Sequence, residues 1–464
     1  AMLSRPSLSA LRLVCLAVLL GIGDLAGASF ALPADGDLDL RYGVGGVARS
    51  PELDRNVYEF PLAMACGPTG FCSLGAGAYV PDLDFQGMNF TSNGTYAAEF
   101  TIHFDLGGSL FDQVYATAIQ RDGKVIQVGS STDSAIPGNS VQAAIARYTT
   151  SLVPDPSFSA NGKDNTNFVG DARSYAVAIA PDDKIVVAGC YWTDSSAGSD
   201  IFVLRYTTAG ILDSTFDGDG IRIFGLDLGG SNYDCAYAVL VQSDGKIVLA
   251  GSVEFAVNDQ DFTIVRLLPD GTFDPTFSDN LSGNGRSRVA FDLGGGYEDA
   301  YSVALDARGR IVVGGRAEDS DDHFRSAIAR LLPNGTLDEV PGSFGSGGRY
   351  APADSRGEIL GIAVAGPPSN HIYYFTRPGW IGALTGSGAL DTGFNGDGFV
   401  YFDDAVPNPD SQIPRALAFS GGMLHIGGAS IVGADDYNIV ARYWMHQIFG
   451  DGFEAGNTGA WLGW

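Results

Sequence analysis

The sequence predicts an all-β fold, a seven-bladed β-propeller of four-stranded antiparallel blades. Four segments that begin at Tyr115, Tyr175, Tyr237 and Tyr301 are near-copies of one another, spaced about 60 residues apart. Glycine supplies 64 of the 464 residues, about twice its usual share of about 7%. A fixed period with this much glycine indicates a repeat fold of short strands joined by tight turns.

Each repeat is predicted to contain four strands, A to D. In strand A apolar and small residues alternate, as in residues 175–179, which indicates a half-buried strand. A turn of the Asp122-Gly123 type follows, because Asp-Gly between apolar runs favours a hairpin that needs positive φ. Strand B is a continuous apolar run such as residues 185–189, which predicts burial on both faces.

The count of seven includes two degenerate units, residues 56–106 and 358–403. The last unit ends after strand C, and its missing strand D has a counterpart near the N-terminus. Residues 38–47 align without gaps on residues 212–221, which precede and begin strand D of another unit. We therefore expect an N-terminal strand to complete the last blade and close the ring, which removes an open sheet edge.

Residues 1–31 are predicted to be a signal peptide. Arg5 and Arg12 give a positively charged region before the apolar stretch 13–22, and small residues follow it. That stretch is shorter than the roughly 20 residues that span a bilayer. We expect a propeller over residues 36–445, a tail over 446–464 that serves in sorting, and no transmembrane segment. The predicted localisation is secreted or at the cell surface.

Four cysteines remain after the predicted signal peptide. An even number in an oxidising compartment indicates disulfides. The repeat register places Cys66 and Cys72 across one hairpin, and it places Cys190 and Cys235 at neighbouring strand ends on one face. We predict the bridges Cys66–Cys72 and Cys190–Cys235.

The repeat pattern resembles the delta-60 repeat β-propeller family of bacterial secreted proteins. The resemblance covers roughly residues 36–445. It depends on hairpins such as residues 182–189, on a recurrent strand C arginine, and on the Leu-Asp-x-x-Phe motif before a Gly-rich turn, as in residues 212–220. It implies a propeller scaffold with no defined activity. Residues 449–461 resemble a short C-terminal tail of secreted proteins from some Gram-negative bacteria.

The formal net charge is −27, which argues against nucleic acid and anionic lipid as partners. In a propeller the B–C loops and D–A connections share one face, and here that face is predicted to be acidic. Calcium prefers clustered carboxylates, so this face is a candidate cation or ligand site, with solvated loops as the alternative. Its carboxylates are Asp194, Asp200, Asp259, Asp261, Asp319, Asp321, Asp322, Asp435 and Asp436.

One arginine recurs in strand C of five units. Because it recurs around the whole ring, we predict a structural pairing inside each blade with the Leu-Asp aspartate, such as Asp213 or Asp274. The repeat arginines are Arg147, Arg205, Arg266, Arg330 and Arg442.

The sequence contains no His-Glu-x-x-His, Gly-x-Ser-x-Gly or P-loop motif, and no catalytic residue is assigned. The leading hypothesis is a non-catalytic, monomeric scaffold whose acidic face binds an extracellular protein, glycan or cation. It requires no cofactor, and calcium is the candidate ion. The alternatives are a propeller hydrolase or lyase that acts on an extracellular polymer, and a structural surface component.

Overall fold

The structure, a computed structural model, describes residues 38–444 and 461–462 apart from short gaps. The gaps are residues 45–46, 52–59, 80–82, 103–111, 134–139, 167, 194–197, 227–231, 280–283, 354–355, 367–368, 403–410, 421–422 and 433–434. The described residues form 29 β-strands, which confirms the predicted all-β class. The predicted signal peptide lies outside the described residues and stays a prediction.

A typical repeat unit is an antiparallel sheet whose strands pair in chain order. Its strands are β10 (Asp171–Ile179), β11 (Ile185–Trp192), β12 (Asp200–Tyr206) and β13 (Ile221–Phe224). All residues of β11 except the last are buried, as its continuous apolar run predicts. The turn before β11 places Asp183 at φ 63°, and Gly123, Gly245 and Gly309 take the same place in other units. Glycine suits this position because it adopts positive φ at no steric cost.

Strand A carries a β-bulge at the recurrent tyrosine. In β10 the pairing with β11 skips Tyr175, between Ser174 and Ala176. Gly189 lies opposite this bulge, and a Cβ atom there would be 1.9 Å from the Arg173 carbonyl oxygen. The glycine that ends the apolar run of strand B is therefore required by the close approach of the bulged strand.

Three further units form separate sheets. The sheet nearest the N-terminus contains β2 (Phe60–Cys66), β3 (Cys72–Tyr79), β4 (Leu83–Phe90) and β5 (Tyr96–Ile102). The next contains β6 (Gln113–Ile119), β7 (Val125–Asp133), β8 (Ser140–Tyr148) and β9 (Lys163–Thr166). A later sheet contains β22 (Glu358–Val364), β23 (Ile372–Arg377), β24 (Trp380–Leu384) and β25 (Phe399–Tyr401).

The units that begin near Tyr237 and Tyr301 share one eight-stranded sheet. Its first four strands are β14 (Asp234–Val241), β15 (Ile247–Ala256), β16 (Asp259–Leu267) and β17 (Arg286–Val289). Its other four are β18 (Gly294–Leu305), β19 (Ile311–Asp319), β20 (Phe324–Leu331) and β21 (Arg349–Tyr350). A parallel pair between Gln260 and Tyr297 joins the two sets.

The prediction of seven separate four-stranded blades is wrong. Among the described residues there are five separate single-unit sheets, of which four have four strands and one has five, in addition to the eight-stranded sheet. Two physical causes explain the difference. β18 begins early enough to pair with β16, and a C-terminal strand adds to the sheet of β2.

The last sheet confirms closure of the ring by the N-terminal strand. It contains β26 (Ser411–Ser420), β27 (Met423–Val432), β28 (Asp435–Trp444) and β1 (Val47–Arg49). β1 pairs antiparallel with β28, with Val47 opposite Ala441. The innermost strands of neighbouring units contact one another in turn, and the series closes between β26 and β2. The hydrophobic core lies between adjacent sheets, so each sheet packs on both faces.

The fifth strand of the first sheet is β29 (Trp461–Leu462), which pairs antiparallel with β2. Apart from these two residues, the predicted tail 446–464 lies outside the described residues. The part of the chain that the structure describes has no helix with the length and hydrophobicity needed to cross a bilayer.

Candidate functional site

Three connecting segments of the eight-stranded sheet meet on the predicted acidic face. They are the β15–β16 turn, the β17–β18 connection with the start of β18, and the β19–β20 turn with the end of β19. The Gly296 N–H donates to the Glu318 carboxylate at 3.0 Å, and the Tyr297 hydroxyl donates to Asn258 Oδ1 at 3.3 Å. We call this area the rim site, which comprises Phe255, Asp261, Arg288, Tyr297, Glu298, Arg316 and Phe324.

The structure brings together only part of the predicted acidic set. Asp259 and Asp261 lie at the start of β16, and Asp319, Asp321 and Asp322 lie together at the β19–β20 turn. Asp200 starts β12, in another unit. Asp435 and Asp436 are described only by their backbone pairing with Val432 and Ile431, and Asp194 lies outside the described residues.

The two buried carboxylates of this set already have cationic partners. Asp261, 2% exposed, accepts a hydrogen bond from Arg288 Nε. Burial raises the pKa of Asp261, and Arg288 opposes that rise. Asp319 pairs with Arg325 Nε at 2.7 Å and accepts the N–H groups of Asp321 and His323. These contacts use the oxygen atoms that a cation would need, so the predicted calcium site gains no support here.

Within the described residues, Asp319, Asp321 and His323 do place one ligand-type atom each within 4.8 Å of one another. Asp321 and His323 are exposed, and no ion is present. A cluster of this kind on a solvated turn is common without a metal, so calcium binding stays a prediction.

Glu298 is a buried acid that the sequence does not single out. It is 4% exposed, and its carboxylate accepts the N–H groups of Phe291 and Asp292 at 2.9–3.0 Å. Burial raises the pKa of Glu298 to about 7, and the neighbouring Asp261 and Asp292 add to the rise. A carboxyl group that titrates near neutral pH is a common mark of functional sites. Glu298 lies outside the repeat motif, so the sequence pattern did not identify it as a candidate residue.

Three aromatic rings of the rim site are partly exposed although they are large and apolar. Phe255, Tyr297 and Phe324 are 41%, 39% and 36% exposed. The Arg288 guanidinium lies 3.6 Å from the Phe255 ring centre, and the Arg316 guanidinium lies 3.9 Å from that of Phe324. The rings are thus held in place at the surface. A large aromatic residue next to acidic connecting residues was the available sequence signal for them.

A second group of polar residues extends from the rim site toward the inner strands. Arg316 Nε donates to Asp299 at 2.9 Å, and its Nη1 lies 3.2 Å from Glu358. The Tyr301 hydroxyl donates to the same Asp299 carboxylate at 3.1 Å. Burial holds the pKa of Tyr301 well above its usual value, so this phenol is a hydrogen-bond donor and not a base at neutral pH.

The bulged tyrosines of four units continue this group as an arc. The ring centres of Tyr115, Tyr175, Tyr237 and Tyr301 lie 5.0, 5.7 and 5.3 Å apart in chain order. These spacings are typical of favourable aromatic pairs. The recurrent tyrosine therefore links the inner strands of neighbouring units.

The repeat arginines lie on the opposite side of the ring, at the end of the sheets where the A–B turns are. Each donates through Nε to the Leu-Asp aspartate of its own unit at 2.7–3.0 Å; the pairs are Arg147–Asp155, Arg205–Asp213, Arg266–Asp274, Arg330–Asp338 and Arg442–Asp39. Each guanidinium also lies 4.4–4.9 Å from an aromatic ring centre. The pairing follows the predicted pattern.

The structure adds a contact that the sequence does not reveal. Through Nη1 each repeat arginine donates to a backbone carbonyl of the next unit; the acceptors are Thr208, Pro269, Pro333, Gly386 and Ser92. The last of these bonds joins Arg442 of the final sheet to the first sheet. The arginines therefore bridge neighbouring units, and we call this contact the arginine bridge.

A cavity of about 490 Å³ lies between two units beside one arginine bridge. Arg205 and Lys184 line it together with three aspartates, Asp182, Asp244 and Asp270, and with other polar and apolar residues of both units. Lys184 and Arg205 both contact the Asp213 carboxylate, at 3.2 and 2.8 Å. Their charges are compensated in part by that carboxylate, and the cavity belongs to the structural contact between the units.

Both predicted disulfides are confirmed. Cys66–Cys72 closes the β2–β3 hairpin with a Cα–Cα distance of 4.0 Å, and Cys190–Cys235 joins two neighbouring units with a Cα–Cα distance of 4.9 Å. His425 lies beside the first bridge, 1% exposed, with Nδ1 3.4 Å from Cys72 Sγ. Burial lowers the pKa of His425 to about 3, and Arg442 contributes to the fall.

Comparison with protein families gives a match in the repeats. Residues 120–158, 180–216, 242–277 and 309–339 match a family described as "Domain of unknown function (DUF5122) beta-propeller". No curated protein matches the chain. The finer identification with the delta-60 repeat family remains a resemblance.

Several solved structures are similar to the chain at low identity. A protein from Dyadobacter fermentans is 10% identical, with 86% of this chain and 100% of that chain covered and a TM-score of 0.44. A polysaccharide lyase, an ulvan lyase bound to -[GlcA(1-4)Rha3S]-, is 11% identical, with 84% and 95% covered and a TM-score of 0.46. The β-propeller domain of the trilobed protease from Pyrococcus furiosus is 12% identical, with 83% and 96% covered and a TM-score of 0.39.

All three TM-scores are below 0.5. The fold rests on the paired strands and the closed ring of inner strands, and the repeat rests on the family match. The chain is a β-propeller repeat protein.

Proposed function

We propose that the chain is a secreted, non-catalytic β-propeller whose rim site binds an extracellular glycan. The observation that carries the proposal is the set of three partly exposed rings, Phe255, Tyr297 and Phe324, within an acidic surface. Contact with water is unfavourable for large apolar rings, so a ligand that covers them gains free energy of binding. Because arginines hold two of the rings in position, binding would cost little conformational entropy.

The polar groups around the rings fit a sugar. A sugar presents apolar C–H faces that pack on aromatic rings and hydroxyl groups that donate to carboxylates. Asp259 is half-buried and Asp292 is exposed beside the rings, and both lie close enough to Asp261 to raise its pKa. The surrounding negative charge disfavours an anionic ligand, so the proposed glycan is neutral.

Export supports an extracellular ligand but is itself part of the proposal. It rests on the predicted signal peptide and on the two disulfides, which form in oxidising compartments. Immunodetection of the chain in the culture medium or on intact cells, without residues 1–31, would test it. Retention in the cytoplasm would contradict it.

The experiment is a calorimetric titration of the full chain with a panel of neutral oligosaccharides. We expect Phe255→Ala, Tyr297→Ala and Phe324→Ala each to weaken binding by roughly tenfold, equivalent to about 1.4 kcal/mol. The matched control is Ile211→Ala, because Ile211 is 63% exposed on the opposite face. A panel that yields no binding, or a triple ring variant that binds as tightly as the wild type, would contradict the proposal.

One observation favours a second function, a hydrolase that acts on the same glycan. Glu298 is a carboxyl group with a pKa near 7 beside the arginine-paired Asp261. A carboxyl group that keeps its proton near neutral pH can serve as a general acid beside a second, arginine-paired carboxyl group. Release of new reducing ends that Glu298→Gln abolishes would support the enzyme, and binding without product would support the scaffold.

A further inference from the structure

We propose that Cys66, Cys72 and His425 form a zinc site when the Cys66–Cys72 disulfide is reduced. The three residues lie where the first and last sheets meet. Cys66 and Cys72 face each other across the β2–β3 hairpin, and His425 belongs to β27 of the last sheet. All three are buried, with exposures of 0–1%. A metal ion here would connect the two ends of the ring.

The distances fit zinc with little rearrangement. One ligand-type atom of each residue lies within 4.8 Å of the other two. In a tetrahedral site with Zn–S of about 2.3 Å and Zn–N of about 2.0 Å, the nitrogen and sulfur ligands are about 3.5 Å apart. His425 Nδ1 is 3.4 Å from Cys72 Sγ. The main change needed is separation of the two sulfur atoms after reduction to about 3.8 Å, the spacing that the same geometry requires.

The histidine ring is held in an orientation that suits a ligand. Its Nε2 lies 3.2 Å from Ser420 Oγ, while Nδ1 faces the sulfur. Metal-binding histidines usually donate their other ring N–H to a neighbouring oxygen, which fixes the ring and the tautomer. Ser420 is placed to be that acceptor.

Cys72 and His425 depart from the apolar pattern of the repeat. Cys72 occupies the strand B position that pairs with the last residue of strand A, where other units have Val125, Ile185, Ile247 and Ile311. His425 occupies the strand B position opposite the repeat arginine, where those units have Ile126, Val186, Val248 and Val312. Thiol and imidazole groups thus replace packing residues at one seam of the ring.

Reduction of the Cys66–Cys72 disulfide requires an external two-electron reductant, such as a phosphine or a dithiol. The S–S bond takes up two electrons and two protons to give two thiols. Zinc binding then releases both thiol protons, because the thiolate is the ligand. Three protein ligands leave a fourth position for water or for the Gly70 carbonyl, whose oxygen lies 3.7 Å from Cys72 Sγ.

The test uses the full chain, reduced with a phosphine, and Co²⁺ as a spectroscopic substitute for Zn²⁺. We expect one equivalent of Co²⁺ to bind, with thiolate-to-cobalt charge-transfer bands and the visible bands of tetrahedral cobalt. Zn²⁺ should displace it. The oxidised protein should give no such bands. A reduced, folded chain that shows no thiolate–cobalt bands would overturn the proposal.

Two variants identify the ligands. Cys190→Ala with Cys235→Ala should retain the cobalt bands, since these residues form the other disulfide. His425→Gln should weaken Co²⁺ binding at least tenfold and change the visible bands while circular dichroism shows a folded protein. If the double cysteine variant does not fold, the reduced wild type compared with His425→Gln decides the question. Unchanged bands and affinity in His425→Gln would overturn the proposed ligand set.

Discussion

Replacement of Arg266 by methionine should destabilise the whole ring. Arg266 is 4% exposed and makes three side-chain contacts of different kinds. It donates to Asp274 at 2.7 Å, to the Pro333 carbonyl of the next unit at 2.5 Å, and to Thr276 at 3.2 Å. Methionine keeps much of the apolar packing and removes the charge and all the donors.

The expected loss of stability depends on Asp274, which stays buried when Arg266 is removed. Asp274 is 1% exposed and has a pKa of about 2, since hydrogen bonds from Thr276 and the charge of Arg266 outweigh burial. A shift from 3.8 to about 2 corresponds to about 2.5 kcal/mol of stabilisation at neutral pH. Removal of one partner of a buried ion pair costs about 3–5 kcal/mol. Because Lys246 remains 3.3 Å from Asp274, we expect about 3 kcal/mol.

The assay is urea unfolding followed by circular dichroism, with wild type and variant under the same conditions. The matched control is Arg121→Met, because Arg121 also donates to a carbonyl of the next unit, that of Pro181 at 2.7 Å, but is exposed. We expect the control to cost less than about 0.5 kcal/mol. A loss below about 1 kcal/mol for Arg266→Met, or equal losses for both variants, would refute the arginine bridge as a stabilising contact.

Three further predictions concern stability. Glu298→Gln should stabilise the fold by about 3 kcal/mol above pH 7 and have no effect below pH 4.5. The folded state holds the Glu298 proton up to about pH 7, while the unfolded chain releases it near pH 4.5. The wild-type protein therefore loses stability as the pH rises from 4.5 to 7, and the glutamine variant does not. Urea unfolding at pH 4 and pH 8 checks this, and an equal effect at both would contradict it. The wild-type protein should also lose stability between pH 4 and pH 2, by about 2 kcal/mol for each of three aspartates that pair with the repeat arginines. These are Asp155, Asp213 and Asp274, whose pKa values are about 2. A free energy of unfolding that stays constant over this range would argue against the prediction. Gly251→Ala should cost at least about 3 kcal/mol of stability, because its Cβ would lie 1.8 Å from the Cys235 carbonyl oxygen. Gly218→Ala meets no atom within 4 Å and should cost about 1 kcal/mol for its positive φ. Similar losses of stability for the two variants would refute the steric argument.

The residues that build each unit could be predicted from the sequence because they recur. Alternation in strand A, the Asp-Gly type turn and the continuous run of strand B gave the hairpins that the structure shows. The register of these hairpins also gave both disulfides, and the match of residues 38–47 to residues 212–221 gave the closing strand. These features depend on local contacts, which a repeated sequence pattern records directly.

The features that could not be predicted depend on contacts between units or on parts that do not repeat. The early start of β18, which pairs Tyr297 with Gln260, joins two units into one sheet. The same connection buries Glu298 beside Asp261. The second contact of each repeat arginine reaches about 60 residues along the chain in four of the five cases, and a pattern within one unit does not reveal it.

The acidic face was predicted as a set of carboxylates, and the structure changes which residues matter there. Asp261 and Asp319 are paired with arginines, so they do not form an open cation site. The rings of Phe255, Tyr297 and Phe324 are the groups that a ligand could cover. A list of charges alone could not show this, because pairing and exposure depend on how the three connecting segments meet.

The central claim is that recurrent residues build the ring while non-recurrent rim residues bind the ligand. The most direct test measures glycan affinity and unfolding free energy together in two full-length variants. The triple variant Phe255→Ala, Tyr297→Ala and Phe324→Ala should lose glycan binding while it stays folded, and Arg266→Met should lose about 3 kcal/mol of stability at unchanged affinity. Unchanged glycan affinity in a folded triple variant, or glycan binding that Arg266→Met weakens, would contradict the account.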